Sequence, residues 1–168
     1  KPGAGGALGA DMVAKSPPDG QTLLFIASPF TTVAATDAQP HYDPAQFAPV
    51  GIMGAGPLLF AAHPSLPGND LREAIAHIKT NPGRYNYGSA GNGSINHLLV
   101  ELLKQKTGTS IVHIPYKGIA PATTDLIAGQ LQLITGTVPA LMPFIKDGKL
   151  KALAVSTRAR SPGVPGVP

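Results

Sequence analysis

Tyr87-Gly88-Ser89-Ala90-Gly91-Asn92-Gly93-Ser94-Ile95-Asn96-His97-Leu98 runs from a short strand pattern through a glycine-rich turn into an amphipathic helix. The helix reads from about 95 to 107, with Leu98, Leu99, Leu102 and Leu103 on its buried face and Gly108 as its stop. A helix start leaves four backbone N–H groups without intrahelical partners, and the aligned peptide dipoles place partial positive charge there. Glycines admit a ligand close to the backbone, and Ser89, Asn92 and Ser94 add donors, so the turn reads as a site for a carboxylate or phosphate.

The same unit recurs on both sides of the turn. Upstream, Asp70-Leu71-Arg72-Glu73 opens a helix with Leu71, Ala74, Ile75 and Ile78 on one face, and Asn81-Pro82-Gly83 closes it before a strand at 84–88. Downstream come a strand at 110–114, a Pro-Tyr-Lys-Gly loop, a helix near 121–128, a strand at 131–135, a helix ending at Asp147, and a strand from Leu150 to Ser156. Further out, Ala7 to Lys15 suits a short helix, Thr22 to Ala27 a buried strand and 29–48 a polar connection. Pro49 to Ala62 suits two strand pieces bent at Gly54, Gly56 and Pro57. Alternating strands and crossover helices predict an α/β architecture with a largely parallel sheet and a ligand at the carboxyl ends of its strands. Gly88 to Ser94 and Pro115 to Gly118 both fall at such ends.

Composition narrows the class. With 168 residues, the chain suits one domain or two small lobes, and its 20 glycines and 18 prolines punctuate apolar segments instead of forming a low-complexity tract. It has no cysteine, which removes disulfides, thiolate metal sites and cysteine nucleophiles. No apolar run reaches the roughly 18 residues of a spanning helix, so a soluble chain is expected. It opens at Lys1 without a signal sequence, as a mature or truncated product also would. The net charge of +4 is uneven: residues 1–84 carry five Lys/Arg against six Asp/Glu, and residues 85–168 carry eight against three. The positive half favours anionic ligands. Sparse aromatics and no basic cluster among them argue against nucleic acid.

Sharper motifs are weaker. Gly3, Gly5 and Gly9 have dinucleotide-like spacing, but no strand precedes them, and the glycines at 88, 91 and 93 are in neither dinucleotide nor phosphate-loop order. Ser94, His97 and Glu101 could share one helix face as nucleophile, base and acid, although no Gly-x-Ser-x-Gly elbow is present and Ser94 also reads as a helix cap. The five histidines show no paired-ligand spacing with carboxylates, so neither metal nor cofactor is expected.

Taken in order, the motifs are similar to a known family. Lys1-Pro2-Gly3-Ala4-Gly5-Gly6 with Gly9-Ala10-Asp11, Pro18-Asp19-Gly20, Tyr42-Asp43-Pro44 and Phe47-Ala48-Pro49-Val50 start the pattern. The 87–94 turn with His97-Leu98, His113-Ile114-Pro115-Tyr116-Lys117-Gly118, Pro121-Ala122, Asp125-Leu126, Gly148-Lys149-Leu150 and Ala152-Leu153-Ala154-Val155 complete it. Across essentially the whole chain they resemble the Bug family, the extracytoplasmic substrate receptors of tripartite tricarboxylate transporters.

The resemblance implies a type II periplasmic-binding-protein fold: two α/β lobes joined by strand crossovers, closing on a small carboxylate and handing it to a membrane permease without chemistry. Residues 1–54 would belong to the first lobe, 55–60 to a hinge crossover, 61–154 to the second lobe, and 155–168 to the return crossover and the start of first-lobe completion. Ser89, Gly91, Asn92, Gly93 and Ser94 would line the cleft, with Ser28 and Thr137 as further contacts and Tyr116 and Lys117 at its edge. Members of this family are longer, and the amino-terminal strand and glycine turn that supply opposing contacts have no counterpart here, which leaves the first lobe incomplete. Gln21 stands where the family usually has Tyr, and Gly136 where an acidic residue is common. A periplasmic receptor for a small organic carboxylate is thus expected. The alternatives are a hydrolase built on the 94/97/101 face and a truncated fragment without function.

Overall fold

The computed structural model describes residues 6–168, except for the side chains of Pro29, Val33 and Thr36. The Gly3 and Gly5 part of the amino-terminal glycine pattern lies outside the described residues. Three successive strand–helix units build the middle of the chain: β1 (Leu58–Ala62) with α3 (Leu71–Lys79), β2 (Asn86–Ser89) with α4 (Ile95–Thr107), and β3 (Val112–Pro115) with α5 (Ile119–Ile127). They are followed by β4 (Leu133–Thr137), α6 (Val138–Lys146) and β5 (Lys151–Val155), while α1 (Ala7–Ala14) and α2 (Pro29–Thr36) precede them.

The five strands lie in the order β3-β2-β4-β1-β5. β2 pairs in parallel with β3 and β4, whereas β1 runs antiparallel to both β4 and β5. The sheet is therefore mixed, where a largely parallel one was expected. The reason lies in β1, which enters from the opposite end between two strands that share one direction. Because of this order, the carboxyl ends of β2, β3, β4 and β5 (Ser89, Pro115, Thr137 and Val155) gather on one edge, level with the start of β1 at Leu58. Helices α4, α5 and α6 all begin at that edge.

Strand alternation, shifted by an irregularity in the β1–β5 pairing at Phe60/Ala61, divides the core in two. Phe60 and Ala62 of β1, Tyr87 of β2, Leu133 of β4 and Leu153 of β5 face α3 and α4, meeting Ala74, Ile78 and Val100. Leu59, Ala61, Ile134 and Val155 face the other way, meeting Ala122 and Leu126 of α5 and Leu141 of α6. Gly88 is required by packing: a Cβ there would lie 2.5 Å from Leu131 Cδ1 and 3.1 Å from Ala122 Cβ.

The caps match their sequence signals. Asp70 accepts from Glu73 N at 2.8 Å, while the Glu73 carboxylate reaches back to the Asn69 N–H at 2.8 Å. Gly108 closes α4 in the left-handed region at φ 66°.

In the amino-terminal part the helix at Ala7–Ala14 forms as read, but the residues from 22 to 57 differ from expectation. Thr22–Ala27 forms no strand, and Leu23 and Phe25 stand 71% and 84% exposed. An apolar alternation becomes a strand only against a partner edge, and no described strand runs beside it. For the same reason only 58–62 of the expected strand pair at 49–62 is realised, and Ile52 is 92% exposed. The expected polar connection at 29–48 contains α2 and a 3₁₀ turn at Pro44–Gln46 with an Asp43–Gln46 capping box. Phe30, Tyr42 and Phe47 cluster there, with ring centroids 5.0–5.9 Å apart, over Ala7 and Ala10 of α1. Tyr42 OH donates to Phe30 O, and burial raises its pKa. No helix among the described residues is long and apolar enough to cross a membrane.

Candidate functional site

β2 ends at Ser89 and α4 starts at Ile95, so the five residues between must reverse direction at the sheet edge where the strand ends gather. Gly91 (φ 121°) and Gly93 (φ 72°) adopt backbone angles that side chains disfavour, which is why the turn carries glycine at these positions. Ser89 and Ser94, both buried, fasten it from inside. Ser89 Oγ accepts from Gly91 N at 3.1 Å and bonds His113 Nε2 at 2.7 Å. Ser94 is the N-cap of α4: its Oγ donates to Gly91 O at 2.6 Å and accepts from His97 N at 3.3 Å.

With the hydroxyls turned inward, the backbone is what the turn offers outward. Among the described residues the N–H groups of Ala90, Asn92, Ile95 and Asn96 take no hydrogen-bond partner. These four unpartnered donors lie in and just after the turn, at the positive end of a thirteen-residue helix, an arrangement suited to an anion. Asn92 is exposed, and the Asn96 side chain, buried beneath, donates from Nδ2 to Thr135 O at 2.6 Å and locks α4 to β4.

The other expected residues surround this turn at different depths. The Ser28 carbonyl accepts from Thr31 N and Thr32 N at the start of α2, and Thr32 Oγ1 donates to Gly93 O at 3.1 Å, which brings the first turn of α2 against the glycine turn. Thr137 is the exposed N-cap residue of α6 and makes no side-chain cap bond. Tyr116 N donates to Ser89 O at 3.1 Å, but its hydroxyl points away, donating to Asp125 Oδ2 at 2.6 Å. Burial first, then that bond, raises the Tyr116 phenol to about 12. Lys117 is exposed on the adjoining loop and forms no ion pair with a described residue.

Beneath the turn lies an arrangement that composition and spacing did not reveal. Tyr87, His113 and His97 stack in a column, with centroids 4.8 Å and then 4.1 Å apart. Tyr87 OH donates to Glu101 Oε1 at 2.6 Å, and Lys104 Nζ donates to the same oxygen at 2.7 Å. Burial alone would raise the Glu101 pKa, yet the bonds from Lys104 and Tyr87 hold it below the ordinary carboxylate value. Burial pushes His113 down to about 4, helped by the neighbouring His97, so it is neutral near pH 7.

These contacts dismantle the nucleophile–base–acid reading. Ser94 Oγ meets the His97 backbone and not its ring, the His97 Nδ1 atom accepts from Gly93 N at 3.3 Å, and Glu101 serves Tyr87 and Lys104. Within this trio no hydroxyl is aimed at a base. Among the described residues no cluster of three His, Cys, Asp or Glu could hold a metal ion.

Thr32, His113 and Asn96 are the positions that the sequence reading did not assign to the turn. Asn96 and His113 sat inside quoted motifs, whereas nothing at Thr32 in the linear sequence points sixty-one residues ahead to Gly93.

All residues, 1–168, match the family described as the tripartite tricarboxylate transporter family receptor. Protein BugT of Bordetella pertussis is 37% identical over 169 residues, covering 99% of this chain and 52% of its own length. A solved R. palustris protein with adipate is 34% identical with a TM-score of 0.93, the match covering 99% of this chain and 56% of that one. MatC from Rhodopseudomonas palustris with bound malate is 27% identical with a TM-score of 0.85, covering 99% and 57%. The chain thus spans about half the length of the relatives it matches.

Proposed function

The chain belongs to the tripartite tricarboxylate transporter receptor family, and from that premise we propose that it serves as part of a periplasmic receptor capturing a small organic carboxylate for delivery to a membrane permease. The observation that carries the reading is the cradle of unpartnered N–H groups at Ala90, Asn92, Ile95 and Asn96, set where the strand ends gather. Relatives of the same fold hold adipate and malate, both carboxylates, which is the charge such a cradle suits. Backbone amides are fixed before the ligand arrives, so little ordering opposes capture.

In this reading Ser89, Gly91, Gly93 and Ser94 shape the cradle and Asn92 borders it, while Ser28, Thr137, Tyr116 and Lys117 stand around the opening. Residues 1–54 contribute to one lobe and 61–154 form the other. The crossings at 55–60 and from 155 onward lie side by side, with Ser156 N donating to Leu58 O at 2.8 Å and Leu58 N donating to Ser156 Oγ at 2.9 Å. Two adjacent crossings form a hinge about which the lobes close.

Thermal unfolding of the full-length protein against malate, adipate, citrate, glutamate and sulfate tests the reading. A carboxylate at about 100 times its dissociation constant adds roughly 2.7 kcal/mol, a rise of about 5–10 °C. A rise with one or more carboxylates and none with sulfate is expected. No rise with any carboxylate, or the same rise with sulfate, would overturn it.

A further inference from the structure

Both ends of the glycine turn rest on imidazole rings. Ser89 Oγ bonds His113 Nε2 at 2.7 Å, and the Gly93 N–H donates to His97 Nδ1 at 3.3 Å. The two rings stack 4.1 Å apart at 18° and stand on Tyr87, which Glu101 and Lys104 anchor. We propose that His97, braced by His113, is a positioning residue for carboxylate capture: its neutral ring holds the Gly93 peptide, and with it the cradle, in the binding arrangement. The inference rests on the receptor reading for its functional consequence, though not for its geometry.

A ring nitrogen that accepts a hydrogen bond carries no proton, so the Gly93 contact requires neutral His97 with its proton on Nε2. Protonation would place an N–H at Nδ1 facing the Gly93 N–H. Two donors cannot bond, and the inner tie of the turn is lost. The Gly93 carbonyl, on the following peptide unit, would stay held by Thr32 Oγ1, so Gly93 would pivot on that outer contact instead of remaining fixed at both its N–H and its C=O. Glycine at φ 72° has the freedom to make that pivot.

The groups facing His97 are few. His113 comes from β3, Tyr87 lies behind it on β2, and Glu101 and Lys104 share α4 and are paired at 2.7 Å. Helix α2, whose Thr32 reaches the turn, has no charged residue in Pro29–Thr36. A proton on His97 thus meets a neutral imidazole at stacking distance and a carboxylate already engaged by a lysine.

Two measurements on the full-length protein separate a positioning ring from one that merely fills space. In ¹⁵N NMR without ligand, the Gly93 amide resonance is expected to move with the same midpoint as the His97 ring nitrogens. A Gly93 resonance that stays flat while His97 titrates overturns the proposal. In calorimetric titrations with malate and adipate, the wild type is expected to lose affinity by about five- to tenfold, the worth of one hydrogen bond, between pH 8 and the pH at which the NMR titration shows the His97 ring protonated.

The variant His97→Asn keeps an acceptor close to the Nδ1 position without a titrating ring, and is expected to flatten that profile. The variant His97→Phe keeps the stack without the acceptor, and is expected to bind weakly at both pH values. Ligand protonation is common to all three proteins, so only the difference between them counts. A wild-type-like pH profile in His97→Asn overturns the proposal. If neither malate nor adipate binds at pH 8, the titrations use whichever carboxylate raises the melting temperature; if none does, the receptor reading fails, while the Gly93 titration still decides the positioning role.

Discussion

Residues 58–155 and residues 6–57 have comparable apolar patterning and very different fates. The first region folds five strands around two core clusters, in which Leu59, Leu133, Ile134 and Leu153 are at most 1% exposed. The second packs one small cluster over Ala7, Ala10 and Tyr42 and leaves Leu23, Phe25, Val50, Ile52 and Met53 facing outward. A hydrophobic run supplies strand potential, but burial needs a neighbouring edge to hydrogen-bond and a layer to cover it. The 58–155 stretch contains its own neighbouring strands, whereas among the described residues no strand lies beside the 22–27 and 49–54 runs, and of these only Leu24 packs on the small amino-terminal cluster. The difference separates what a segment prefers from what its surroundings permit.

The largest test of this contrast removes matched side chains. Leu153→Ala, on β5 beneath α3 and α4, is expected to cost about 2–5 kcal/mol through lost burial and the cavity left behind. Leu23→Ala, which buries little, is expected to change stability by less than about 0.5 kcal/mol. Urea unfolding of the two variants gives both values, and similar costs would mean that the 22–27 run is covered in solution. Next in size are the glycines. Gly88→Ala forces a methyl against Leu131 and Ala122 and should cost about 1–3 kcal/mol, while Gly56→Ala meets nothing within 4 Å and should be neutral or stabilise by a few tenths of a kcal/mol. The same unfolding curves check this pair, and a tolerated Gly88→Ala would show a looser sheet–α5 contact.

How much was legible follows the same division. The helix at 95–107 and its Ser94 cap, the helix opened by Asp70 and every strand from 86 onward could be read, because caps, periodicity and stops lie within a few residues of one another. The direction of β1 could not, since pairing sense depends on which strands flank it and not on the residues of Leu58–Ala62. The helix at Pro29–Thr36 was hidden by its Pro and β-branched threonines, which suggest a connection until Phe30 finds Tyr42 and Phe47. At the site, the glycine turn was visible as a turn with orphan amides. What it rests on was not, because Tyr87, His97 and His113 meet only after β2, α4 and β3 are assembled. Reading Ser94, His97 and Glu101 as one face was correct for helical spacing, but the neighbouring strands supply competing partners that reassign each side chain.

The smallest expected effect is also confined to the sheet region and comes from pH. Burial holds His113 at about 4 in the folded chain, below the ordinary imidazole value of about 6.5 in the unfolded one. Between these values the unfolded chain binds the extra proton, so stability is complete above about pH 6.5 and declines as pH falls toward 4. His113 is half-buried, so solvent screening reduces the effect to on the order of 1 kcal/mol. Comparing melting temperatures of wild type and His113→Phe at pH 7.5 and pH 5 isolates this contribution, because every other titrating group is common to both. The wild type should lose more on acidification, and hydrogen exchange should place the loss in β2, β3 and α4, leaving the Phe30–Tyr42–Phe47 cluster unchanged. Equal losses in the two proteins would mean that His113 is already solvated in the folded state and that the column under the glycine turn is open to water. An acid loss in the aromatic cluster as well would show that the two regions unfold together, and would replace the contrast between them with a single cooperative unit.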